Sequence, residues 1–253
     1  MITLPFRPLT TFLVLALSPI PALHAELPVI AKARAYLGSE TALNAVKSVH
    51  YSGKIVRPNP ADPAKPDSLA LDIIFQSPYR QRTVRTTDTD FDTVALDGYD
   101  GWHSVRNRKN PARVRLELLS TDQVKRQRAL VQENLTFFRG LEREGGQVLD
   151  QGLTRLDGVA CRKVAFIHSA NIIFFRYFDE STGRLIMTET ENGSTTREQG
   201  EILVNGIRFP KRIINSSKTA AGKEQTVTVV FEAITLNETF PDRTFAIPPS
   251  NGK

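Results

Sequence analysis

The sequence predicts an α+β fold, in which helices pack against one large antiparallel sheet. Apolar residues recur at helical spacing near the start and in the middle of the chain. The segments around them are short runs rich in β-branched and aromatic residues, and turn dipeptides separate these runs. We therefore expect two main helical segments and about ten or eleven strands in a single domain over residues 26–253, with no linker inside it.

Composition and charge narrow the class of protein. The chain has 253 residues, of which 40% are hydrophobic and 24% charged, as in an ordinary globular protein, so disordered and fibrous classes are excluded. The net charge of +6 is small and spread along the chain, which does not indicate a nucleic-acid binder. The single cysteine, Cys161, has no partner for an internal disulfide, so the fold must depend on its core.

Residues 1–25 have the pattern of a secretory signal peptide. Arg7 precedes the apolar run Phe12–Leu17, and Leu23-His24-Ala25 ends the segment with a small residue at the cleavage position. The apolar run is much shorter than the roughly 20 residues that span a bilayer. No cysteine follows that could carry a lipid. We expect cleavage after Ala25 and release of a soluble protein into the periplasm.

This expectation has a direct test. The mature chain is predicted to begin at Glu26 and to fractionate with soluble periplasmic material. Intact-mass measurement on protein from the periplasm checks the cleavage site. A mass that corresponds to an uncleaved or acylated chain would contradict the prediction.

The first half of the domain reads as a short helical region followed by strands. Ile30, Ala33 and Leu37 share one helical face, Gly38 ends that helix, and Ser39 caps a second short helix that runs through Val46. Strand patterns follow over residues 49–56, 70–76, 80–86, 90–96 and 101–105.

A longer helix is predicted in the middle of the chain, from a cap at Ser120 or Thr121 to about Glu142. Its apolar stripe consists of Val124, Leu130, Val131, Leu135, Phe138 and Leu141. The remainder reads as a β-meander with turns at 157–158, 179–183, 192–193 and 205–206.

The strand Ile172–Phe178 is the most informative segment for function. Both of its faces are apolar except at Arg176, so both must be covered, or one of them must face an apolar cavity. From the pattern alone, simple core packing is favoured over a cavity. If a cavity exists, the aromatic side chains that we expect to contribute to it are Trp102, Phe137, Phe138, Phe166 and Phe231.

Several segments together resemble the LolA-like periplasmic proteins, the lipoprotein-carrier superfamily. Ala42–Gly53 resembles the first helix-to-strand junction of that family, and Phe245–Pro248 resembles its closing strand. Three turns also resemble family hairpins, in the same order along the chain: Asp97–Trp102 (DGYDGW), Tyr177–Leu185 (YFDESTGRL) and Val204–Pro210 (VNGIRFP).

The resemblance implies a curved antiparallel half-open β-barrel closed by helices. In the family the apolar interior receives the acyl chains of lipoproteins or comparable amphiphiles, and it has no catalytic residues. The carriers also have an arginine that contacts the lid, and here Arg80, Arg82 and Arg85 are all candidates for it.

Motifs for other chemistry are weak. Asp88–Asp92 has the alternating aspartates with which a calcium-binding loop begins. However, Thr93 stands at the position of the turn glycine and Tyr99 at that of the bidentate glutamate. The histidines have no glutamate or cysteine at metal-ligand spacing, and no G-x-S-x-G elbow occurs. We expect no metal, no cofactor and no catalytic residues. The basic run Arg106–Arg115 is interpreted as a solvated face rather than a contact for anionic lipid heads.

The function that we predict is an exported, non-enzymatic binding protein, similar to the chaperones of outer-membrane lipoprotein sorting and transport. It would hold the acyl chains of a lipoprotein or another amphiphile at Trp102, Phe137, Phe138, Phe175 and Phe231. The main alternative is a periplasmic sensor or accessory protein that uses the curved sheet to contact an envelope protein. A hydrolase is a third class, disfavoured by the lack of a nucleophile or acid–base set. We expect a monomer that neither spans a membrane nor binds nucleic acid.

Overall fold

The computed structural model describes residues 26–59, 62, 65–219 and 221–249. The predicted signal peptide, residues 1–25, lies outside these residues. Within them the chain forms three α-helices, α1 (Pro28–Leu37), α2 (Glu40–Asn44) and α3 (Thr121–Leu135). Two short 3₁₀ turns follow, at Leu141–Glu144 and Asp242–Thr244.

Thirteen strands form one antiparallel sheet in the described part of the chain. The first six are β1 (Ser48–Arg57), β2 (Asp67–Gln76), β3 (Arg80–Thr86), β4 (Asp90–Asp97), β5 (Asp100–Asn107) and β6 (Val114–Leu118). The other seven are β7 (Gln147–Leu156), β8 (Val159–Ser169), β9 (Ile172–Asp179), β10 (Leu185–Thr190), β11 (Thr195–Val204), β12 (Ile207–Lys218) and β13 (Glu224–Leu236).

The sheet consists of two meanders joined at their first and last strands. Its order is β6-β5-β4-β3-β2-β1-β13-β12-β11-β10-β9-β8-β7, so β1 and β13 lie at the centre and β6 and β7 are the two edges. The central pair is antiparallel and carries a bulge at Ser52 and Gly53. A side chain at Gly53 would place its Cβ 2.1 Å from the carbonyl oxygen of Val230, so only glycine fits this close approach.

The α+β class and the curved, unclosed antiparallel sheet are confirmed, with more strands than the ten or eleven expected. One strand that the sequence pattern did not indicate is β6, which lies within and beyond the basic run. Val114, Leu116 and Leu118 alternate with two charged residues as in a strand, but the run is only five residues long, is mostly exposed and overlaps the end of the basic run.

The helices α2 and α3 begin at the capping residues expected from the sequence. The Ser39 hydroxyl accepts from the amide of Ala42, and Ser120 forms a capping box with Gln123 at the start of α3. The end of α3 is different from the expectation. The helix stops at Leu135 instead of Glu142, because Phe137 and Phe138 adopt positive φ angles of 49° and 73°.

Candidate functional site

A cavity of about 380 Å³ lies between the inner face of the sheet and a segment that we call the lid, α3 with Thr136–Phe138. This volume falls within the roughly 300–1,000 Å³ of ordinary small-molecule sites. Its apolar walls come from β1, β2, β12 and β13 on one side and from the lid on the other. The aromatic side chains in these walls are Tyr51, Phe75, Phe137, Phe138, Phe209 and Phe231.

The apolar end of the cavity is built around Tyr51. Its ring centroid lies 4.9 Å from that of Phe231, 6.1 Å from that of Phe209 and 6.3 Å from that of Phe75. Phe137 of the lid packs edge-on against Phe209 at 6.2 Å. Burial and the nearby Glu198 raise the pKa of the Tyr51 hydroxyl, so this wall is uncharged at neutral pH.

A buried arginine holds the end of the lid in place. Arg34 of α1 is 1% exposed, and its Nη1 donates to the carbonyl oxygens of Thr136 and Phe137 at 2.9 and 2.8 Å. Its Nε and Nη2 each donate to a Glu40 carboxylate oxygen at 2.8 Å. These hydrogen bonds lower the pKa of Glu40 to about 2. Arg34 thus donates hydrogen bonds to the carbonyl groups at the point where the backbone leaves the helix. There the backbone directs the side chain of Phe137 into the cavity.

The other end of the cavity carries buried charges. Glu133 of α3 forms an ion pair with Nη2 of Arg176 on β9, and its Oε1 lies 2.6 Å from Nε2 of His168 on β8. The Arg176 guanidinium also stacks between the rings of Phe138 and Phe166, at 4.8 and 4.4 Å. Burial alone would raise the pKa of Glu133, but Arg176 and His168 outweigh it and hold that pKa below its usual value.

Glu198 on β11 is the second carboxyl group at this end. It lines the same cavity, and burial raises its pKa to about 7 although Arg176 and Arg184 act to lower it. The cavity is therefore amphipathic: one end is aromatic, and the other contains arginine and glutamate side chains.

Three of the five aromatic residues expected to bind a ligand line this cavity: Phe137, Phe138 and Phe231. The structure places Phe175 elsewhere, because side chains alternate along β9 and the cavity receives Phe174 and Arg176 instead. The Phe175 ring lies 4.5 Å from Nζ of Lys163, away from the cavity lining.

Trp102 also lies elsewhere. On β5 the neighbouring Gly101 faces α3, where an added Cβ would contact Val124, so Trp102 points to the opposite face of the sheet. Its Nε1 donates to the carbonyl oxygen of Phe245 at 2.8 Å, and the indole is 4% exposed. The C-terminal segment, rather than the lid, covers this tryptophan.

The arginines that contact the lid are Arg34 and Arg176, not the three candidates expected on β3. Arg80 and Arg85 pair with aspartates of the adjacent strand β4. Arg82 lines a separate depression on the other face of the sheet. Arg34 carried no signal in the sequence, whereas Arg176 was visible as the one charged residue in an apolar strand.

Two other features concern metals and membranes. No group of three or more histidine, cysteine, aspartate or glutamate residues is arranged to hold a metal ion within the described ranges. In the same part of the chain, no helix is both long and apolar enough to cross a bilayer.

The sheet order and the lid over its cavity together define a LolA-like fold, and solved structures agree with it. A LolA superfamily protein from Nitrosomonas europaea superposes with a TM-score of 0.55 at 14% identity, over 85% of this chain and 97% of its own. A DUF1329 family protein from Desulfovibrio piger gives 0.53 at 8% identity, over 86% and 95%. A domain from Vibrio parahaemolyticus that is described as an outer membrane lipoprotein-sorting protein gives 0.52 at 8% identity, over 86% and 94%.

The likeness is one of fold. No protein-family model matches the chain, and no curated protein matches its sequence. At 8 to 14% identity the superposed structures share the architecture with this chain, and its function has to be argued from its own cavity.

Proposed function

We propose that this protein is an exported, non-enzymatic binding protein that holds the acyl chain of a lipoprotein or another amphiphile. The observation that carries this proposal is the aromatic cavity beneath the lid. Tyr51, Phe75 and Phe231 form its floor, and Phe137 of the lid closes over them. Transfer of an alkyl chain from water to such a surface lowers the free energy.

The proposed setting is the periplasm, with transfer of the bound amphiphile between envelope partners. Two observations support it: the signal-peptide pattern of residues 1–25 and a fold shared with a protein described as an outer membrane lipoprotein-sorting protein. A lid attached by hydrogen bonds and packing, without covalent closure, suits a protein that takes up a chain and later releases it.

Binding is expected to strengthen with alkyl chain length. Each buried methylene contributes about 0.8 kcal/mol, or about fourfold in affinity, until the cavity is full. Calorimetric titration with n-alkanols and n-alkanoic acids of increasing length measures this dependence. An affinity that does not change with length in either series would contradict the proposed function.

A pair of adjacent residues on β12 provides a matched control. Ile213 lines the cavity, whereas Ile214 is absent from the lining because neighbouring side chains point to opposite faces of the sheet. Ile213→Trp is expected to fill the cavity and weaken binding by at least about tenfold, through loss of the buried chain. Ile214→Trp should bind as the wild type does. Circular dichroism checks that both variants keep the sheet, and equal binding by the two would contradict this location.

A further inference from the structure

The buried guanidinium of Arg176 has spare hydrogen-bonding capacity. The residue is 5% exposed and lines the cavity, yet only its Nη2 meets a partner, the carboxylate of Glu133. Its Nε and Nη1 are buried and have no hydrogen-bond partner among the described residues. Buried donors are nearly always paired in native proteins, so two unpaired ones on a charged group call for an acceptor.

A second arginine lines the same cavity. Arg184 lies in the turn between β9 and β10, directly after Gly183, and it is half-buried. Its guanidinium has no hydrogen bond or ion pair to any of the described residues. Arg176 and Arg184 both act on Glu198, since each lowers the pKa of that carboxyl group. The two guanidinium groups are therefore near the same position on β11.

The charges around this position do not balance at neutral pH. Glu133 already pairs with Arg176 and His168, and Glu201 pairs with Arg208 at 3.5 Å. The remaining carboxyl group near Arg184 is that of Glu198. Because its pKa is about 7, this carboxyl group is substantially protonated at neutral pH. The titratable and charged side chains that line the cavity with Glu198 are Tyr36, Tyr51, Glu133, Arg176, Arg184, Glu201 and Arg208.

We propose that the amphiphile held by this cavity has a carboxylate head group, which binds at Arg176 and Arg184. The alkyl chain then extends toward the aromatic end at Tyr51, Phe75 and Phe231. A carboxylate matches the planar fork of a guanidinium and supplies the single negative charge that the arginines lack. This inference rests on the proposed function, because it concerns the head group of a ligand whose chain occupies the same cavity.

Three ligands with the same alkyl chain test the head group: dodecanoate, dodecan-1-ol and dodecyltrimethylammonium, each below its micelle concentration. Calorimetry at pH 6.5 is expected to give dodecanoate an affinity at least about tenfold above that of dodecanol, with the cation weakest, because charge-assisted hydrogen bonds form only with the acid. Equal binding of all three would overturn the carboxylate site and leave the amphiphile proposal intact. Binding of none would overturn both.

Arg184→Gln tests the site without disturbing the buried ion pair. This variant is expected to lose most of the preference for dodecanoate and to keep the affinity for dodecanol. Arg176→Met is expected to do the same, but it also removes the partner of Glu133, so its fold must first be checked by circular dichroism. Arg197→Gln is the control, because Arg197 neighbours Glu198 on β11 but pairs with Asp157. An Arg184→Gln protein that keeps the full preference would overturn the proposal.

Glu198 gives an independent measurement. Above pH 7 its carboxylate competes for Arg176 and Arg184, so the affinity for dodecanoate should fall between pH 6 and pH 8 while that for dodecanol stays constant. Glu198→Gln remains neutral and should bind dodecanoate equally at both pH values. A pH dependence that persists in Glu198→Gln would show that the carboxylate is bound somewhere else.

Discussion

Replacing Arg34 by methionine is expected to lower the free energy of unfolding by about 3 kcal/mol. The substitution keeps an unbranched apolar stem in a site that is 1% exposed, but it removes the guanidinium and every donor. The buried carbonyl oxygen of Phe137 then loses the hydrogen bond from Nη1, and the carboxylate of Glu40 loses two. Arg139 still contacts the half-exposed carboxylate of Glu40, so most of the loss is the cost of leaving the buried carbonyl at the end of the lid without a donor.

Equilibrium unfolding in urea measures this loss as a lower midpoint at an unchanged slope. Arg197→Met is the control, since Arg197 forms a half-exposed pair with Asp157 and exposed pairs contribute at most about 1 kcal/mol. A loss for Arg34→Met no larger than that of the control would show that the lid does not depend on this residue.

Glu133→Gln is the second substitution with a large expected effect. It removes the carboxylate that contacts both Arg176 and His168, whose side chains are 7% and 9% exposed. An uncompensated buried charge costs about 3–5 kcal/mol, so the variant should be destabilised by roughly 3 kcal/mol at pH 7.

The pH dependence of stability identifies the cause. The pKa of Glu133 is lower in the folded protein than its usual value of 4.5, so its contribution is complete above that value and is lost as pH falls through the folded pKa. Wild type and Glu133→Gln should therefore differ most at neutral pH and converge in acid. Glu117→Gln, at an exposed pair with Arg115, is the control and should follow the wild type at every pH. A wild-type to Glu133→Gln difference that stays constant from pH 7 to pH 3 would contradict the assignment.

The elements that local chemistry determines could be predicted from the sequence. Ser39 and Ser120 cap helices because their own hydroxyls reach amides three residues ahead. The hairpins at Asp157-Gly158 and Asn205-Gly206 form where the positive φ of a type I′ turn is tolerated. Each of these helix caps and turns depends on a few adjacent residues.

The parts of the site that were not predicted depend on distant residues. The helix α3 ends at Leu135 rather than at about Glu142, and the carbonyls of Thr136 and Phe137 that follow it are held by Arg34, about 100 residues earlier in the chain. The face of β9 that lines the cavity could not be decided from Ile172–Phe178, because an apolar residue at nearly every position makes both faces equally suitable. Phe174 and Arg176 line the cavity because of the register of β9 between β8 and β10.

The central position of β1 and β13 has a consequence for how the chain folds. Strands within each meander pair with their sequence neighbours, but the pairing of β1 with β13 joins residues that are about 170 to 190 positions apart, such as Val49 and Leu236. Closing so long a loop costs conformational entropy before any contact compensates for it, which makes such pairings slow. Each meander can begin to form alone, but β1 has no second neighbour until β13, the last strand, has been synthesised. During that interval its inner edge and the aromatic residues destined for the cavity are open to water and to other chains, so this is the stage at which the protein is most exposed to aggregation.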